Sequence, residues 1–179
     1  MLITPKWEWT VVCFTSEQDS VRGKQFGAAM KFFRFVKVNI KRYMVLGMPI
    51  HGNPLTKKEE RTWEKVLVDK KLEADIVFTH NTKGDYGCPQ HVSVNKIAHK
   101  LYDNVWEFAC PGSVKVTPQP FRSRTVVIPL SQAVLDSKTE IFNRCHVSEL
   151  LCWKNMPGIM HYEFKSGPEL FTQGDLLWK

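Results

Sequence analysis

The segment from Ala74 to Leu101 constrains the fold of this chain more than any other. Ile76, Val77 and Phe78 form a short apolar run of β-forming residues, the pattern of a buried strand. A polar loop bearing Gly84 and Gly87 follows from His80. Pro89 then stands where a helix takes its first residue, because an N–H there would have no intrahelical partner. Val94, Ile97, Ala98 and Leu101 continue at helical spacing. Strand, loop and helix in this order put the loop at the carboxyl end of a strand, where open α/β sheets bind ligands. Cys88 falls at the N-cap and His91 one turn later, so both side chains can face one pocket. His80 and Asn81, at the strand's end, and Asp85, in the loop, are candidate substrate contacts.

The remaining chain repeats the alternation. Thr10–Thr15 reads as a strand, Asp19 or Ser20 as a cap, and Phe26, Ala29, Met30 and Phe33 as the apolar stripe of a helix. Tyr43–Leu46 is a second strand. Thr56 and Glu59 have capping-box spacing, as do Ser137 and Glu140, and Trp63, Val66 and Leu67 give the helix after Thr56 a buried face. Trp106–Ala109 and Thr125–Ile128 read as further strands, the latter at an edge. Ile141, Phe142, Cys145, Leu151 and Cys152 mark a late helix, and a loop-rich tail is expected from about residue 155. His99 reads as a solvated helix residue. Strands alternating with helices imply a single α/β domain over 1–179, a Rossmann-like, mainly parallel sheet with helices on both faces.

A net charge of +7 can attract polyanions. The basic pairs fall mostly at element ends, however, and no aromatic–basic recognition motif accompanies them, which argues against a nucleic-acid partner. No run of about 18 apolar residues marks a membrane span. Five scattered cysteines, an odd number, point to reduced thiols and a cytoplasmic setting rather than to a disulfide framework.

The octapeptide Gly84-Asp-Tyr-Gly-Cys-Pro-Gln-His91 resembles the second signature of the LmbE-like (PIG-L) de-N-acetylases, Gly-x-Tyr-Gly-His-Pro-Asp-His, which also follows a strand. Other pieces line up in order between Thr10 and Trp153: Thr10–Thr15 followed by Arg22, Tyr43–Pro49, and His146-Val-Ser-Glu149. The resemblance implies a zinc hydrolase that removes the acetyl group from an N-acetylated amino sugar. In such a site zinc polarises the amide carbonyl and lowers the pKa of a water, and a carboxylate takes that water's proton. Carried over by position, His91 is a metal ligand, Tyr86 stabilises the oxyanion, and Arg22 contacts substrate. Cys88 occupies the place of a histidine near the developing charge. A helix N-terminus lowers a thiol pKa, so Cys88 is also a candidate nucleophile paired with His91.

The family's His-Pro-Asp-Asp segment, which supplies two zinc ligands and the general base, has no counterpart here, and Gln90 stands in place of an aspartate. The first strand of the family fold is missing with it. The chain is therefore expected to be truncated or degenerate, with the gap in the sheet filled by Met1–Trp9 or by a second chain. The alternative function is a non-catalytic sugar- or nucleotide-binding or assembly protein on the same fold.

Overall fold

The chain first turns into a helix where Ser20 Oγ accepts the amide of Gly23 at 3.1 Å. Ahead of it runs strand β1 (Trp9–Thr15), and Ser20 opens helix α1 (Val21–Phe35). Gly23 is required there, since a Cβ would lie 2.1 Å from the Glu17 carbonyl oxygen. Strand β2 (Ile40–Met48) returns parallel to β1, so β1–α1–β2 is a crossover unit. The computed structural model describes residues 6–50, 52–85, 87–108, 125–128, 131–145 and 169–173.

Helix α2 (Lys57–Asp69) begins with the full capping box expected of Thr56 and Glu59: Glu59 donates its amide to Thr56 Oγ1 at 3.3 Å, and Thr56 donates its amide to Glu59 Oε2 at 2.7 Å. Its inner face buries Trp63 and Leu67. A second crossover unit follows, strand β3 (Val77–Thr79), helix α3 (Pro89–Leu101) and strand β4 (Val105–Phe108), with β3 and β4 parallel. Strand β5 (Thr125–Ile128), helix α4 (Gln132–Cys145) and strand β6 (Glu169–Gln173) complete the described elements.

The elements gather into two compact units. The first takes Met1–Ile50 with Leu130–Gly167, and the second His51–Pro129 with Pro168–Lys179. The first holds the β1–β2 pair, with a core of Ala29 and Met30 from α1 against Ile141 and Cys145 from α4, backed by Val11, Phe26, Phe33 and Tyr43. The second holds a four-stranded sheet in the order β3-β4-β6-β5.

The α/β class expected from the alternation holds, but the strands lie in two small sheets, and the larger one is mixed. Strand β6 runs antiparallel to both β4 and β5. Within the expected loop-rich tail, Glu169–Gln173 is a strand seated between β4 and β5, and the rest of that tail lies outside the described residues. As expected, β5 lies at an edge. Ser137 is not a cap. It lies inside α4, its hydroxyl donating to the Ala133 carbonyl at 2.8 Å, while Ser131 stands ahead of the helix and receives the Val134 amide at its Oγ, 3.4 Å away. Leu151, Cys152 and the His146–Glu149 segment lie outside the described residues. Cys13, Cys88 and Cys145 are free thiols. No helix of the described residues is long and apolar enough to cross a membrane.

Candidate metal centre

The loop between β3 and α3 is built on Asn81. Its side-chain oxygen accepts the amides of Lys83 and Asp85, each at 3.0 Å, an Asx-type turn that bends the chain back on itself. Its side-chain amide donates to the Phe108 carbonyl at 3.1 Å and so fastens the loop to β4. Gly84 has φ +71°, and a Cβ on it would lie 2.2 Å from the Cys88 carbonyl oxygen. Only glycine fits there, and its own carbonyl receives the amides of Gly87 and Cys88 at 3.1 and 3.0 Å. Asp85 is also left-handed, at φ +61°, a conformation that aspartate tolerates better than most residues.

This backbone turns the Asp85 carboxylate inward between two imidazoles. Oδ2 meets Nδ1 of His80 at 2.5 Å and Nδ1 of His91 at 3.0 Å, and Oδ1 accepts the Asn81 amide at 3.2 Å. The rings of His80 and His91 stack, with centroids 3.7 Å apart and planes 9° from parallel. Burial alone would raise the Asp85 carboxyl, but hydrogen bonds from His80, then from His91, with the His80 charge and the Asn81 amide, outweigh it. The carboxyl is held well below the usual carboxylate range.

Two imidazoles and one carboxylate whose ligand atoms all lie within 4.8 Å of one another can hold a metal ion. All three side chains are partly screened from solvent, the Asp85 carboxylate most of all, at 13% exposed. His91, expected as a ligand, is in the group. His80 and Asp85, read from the sequence as substrate contacts, join it there. Asn81 shapes the loop rather than the group. Cys88 occupies the expected N-cap, half-buried, without a side-chain capping bond, and Pro89 opens the helix. Tyr86 lies outside the described residues. Arg22 belongs to the first unit, exposed in the first turn of α1.

Three residues behind the loop were not singled out by the sequence pattern. Glu107 of β4 is 2% exposed, and Asn95 and His99 of α3 are equally hidden, which corrects the reading of His99 as solvated. Asn95 Nδ2 donates to the His80 carbonyl at 2.7 Å and to Glu107 Oε1 at 3.0 Å. His99 Nε2 lies 3.0 Å from the same oxygen, and the Thr82 amide donates to Glu107 Oε2 at 3.2 Å. The one sequence signal was an i, i+4 polar pair, Asn95 and His99, which lie on one face of the helix.

Comparison with protein-family models, with curated proteins and with solved structures returns no match.

Proposed function

We propose that the β3–α3 loop is a zinc site and that the chain is a de-N-acetylase-type protein acting on an N-acetylated amino sugar. The single observation behind this reading is the His80–Asp85–His91 group. Two histidines and one carboxylate are a donor set that catalytic zinc sites use, with a coordination position left for substrate or water. The set also answers the ligand part of the missing His-Pro-Asp-Asp, because His80 and Asp85 offer the two ligands that segment would have contributed, while its general base has no counterpart in the group. Zinc held there supplies Lewis acidity toward an amide carbonyl. Asp85 and the stacked imidazoles fix one another's orientation, and Asn81 holds the loop that presents them. The kinship with LmbE-like enzymes, the Rossmann-like assignment, and the oxyanion role of Tyr86 and substrate role of Arg22 belong to this proposal and rest on the octapeptide.

Isothermal titration of the purified chain with zinc tests the reading. One ion is expected to bind, and His91→Ala or His80→Ala to abolish tight binding. Binding by wild type no stronger than by His91→Ala would end it. Acetate release from N-acetylglucosamine derivatives then tests the reaction.

A second reading, a non-catalytic sugar or nucleotide binder, is favoured by one feature. The group contains a single carboxylate, and both its oxygens are already engaged. Zinc-dependent acetate release that disappears in His91→Ala would dismiss this alternative.

A further inference from the structure

Thr79, the last residue of β3, pairs with Glu107 of β4, so the end of the strand that feeds the loop lies beside this carboxylate. Glu107 is almost fully buried, and a carboxylate in that position is costly unless donors surround it. Three donors reach it: the Thr82 amide from the loop, and the Asn95 amide and the His99 imidazole from α3. Asn95, 0% exposed, gives its amide group a second acceptor in the His80 carbonyl. The backbone on both sides of Asn81 is therefore tied to one side chain of β4. That same side chain grips α3, the helix that carries His91. His80 and His91 sit on different elements, and Glu107 is where the hydrogen bonds from those elements meet.

Joining a helix to a strand does not require this. Apolar side chains of similar volume do it at lower cost. The cluster's distinguishing property is its reach to the backbone of a residue in the metal group. We infer that Glu107, acting through Asn95 and Thr82, is a positioning residue that sets His80 against His91 for metal binding. This rests on reading His80, Asp85 and His91 as metal ligands.

The test titrates cobalt(II) into the wild type, His91→Ala, Glu107→Gln and Asn95→Ala, following the visible d–d bands, with zinc affinity measured by competition against a chromophoric chelator. Glu107→Gln keeps the shape of the side chain but turns an amide NH2 toward groups that also donate. It is expected to melt cooperatively yet to bind metal about 10–100-fold more weakly, with shifted bands. Asn95→Ala should move in the same direction. If wild type binds cobalt, His91→Ala does not, and both other variants match wild type in affinity and spectrum, the positioning role is overturned while the metal reading stands. If wild type itself binds no metal, the metal reading falls and takes the inference with it. Should both variants fail to fold, the wild type decides. Its His99 imidazole N–H resonance is expected to move on zinc addition although His99 is not a ligand, and an unmoved resonance would overturn the role.

Discussion

Asp85 and Gly84 show how much of the centre depends on single backbone conformations. Both are left-handed, but a Cβ at Gly84 collides with the Cys88 carbonyl, whereas Gly87, at φ +94°, has open space around it. A left-handed non-glycine residue costs about 1–2 kcal/mol. Gly87→Ala is expected to lose that amount in urea denaturation, and Gly84→Ala clearly more; equal losses would contradict the packing described for Gly84. Asp85→Asn suits the same left-handed backbone but removes the charge that accepts from His80 and His91. Hydrogen bonds to a charged group contribute about 1.5–3 kcal/mol, and a loss in that range is expected near neutrality. The sign of its pH dependence follows from the lowered carboxyl of Asp85. A group held low in the folded chain contributes stability that is complete above its unfolded value, about 4 for aspartate, and is lost as pH falls through the lower folded value. The stability gap between wild type and Asp85→Asn should therefore narrow below about pH 4. A gap that stays constant down to about pH 2 would refute the assignment.

Among the elements, α2 and α4 carry the same capping-box spacing and use it differently. Thr56 precedes its helix with extended backbone, at φ −67° and ψ 158°, and exchanges both hydrogen bonds with Glu59. Ser137 stands within a helix that has already begun at Gln132, and its hydroxyl bonds back to Ala133. Thr56→Ala is expected to cost about 1 kcal/mol, and Ser137→Ala to change little or to stabilise slightly, since alanine is the better interior residue. Guanidinium denaturation of the two variants measures the difference, and similar losses would mean that Ser137 caps after all. Spacing alone cannot separate the two cases. What separates them is where the chain enters the helix, and Ser131 supplies an earlier entry for α4.

For the whole molecule, the decisive contact joins strands far apart in sequence. Strand β6 lies between β4 and β5, paired with Phe108 through Phe171 and with Val127 through Leu170. A chain ending at Gly167 loses both ladders, several hydrogen bonds at about 1 kcal/mol each. Its thermal midpoint is expected to fall, because β4, which carries Glu107 and the Phe108 carbonyl that hold the loop, loses its partner strand; an unchanged midpoint would show that β6 adds nothing to the second unit. Local pattern was enough for the strand–loop–helix at the centre, the Pro89 start and the Thr56 cap, because each depends on residues a few positions apart. It was not enough for Glu107. In Val105-Trp-Glu-Phe108 a period-2 reading favours burying Trp106 and Phe108. The opposite face is buried, because Asn95 and His99 wait there with donors. The sequence by itself determined the α/β alternation and the loop that can turn His80, Asp85 and His91 together. Tertiary structure alone decided that β6 enters the sheet and that a buried carboxylate anchors the loop, since both depend on partners far apart in the chain that only the folded state brings within bonding distance.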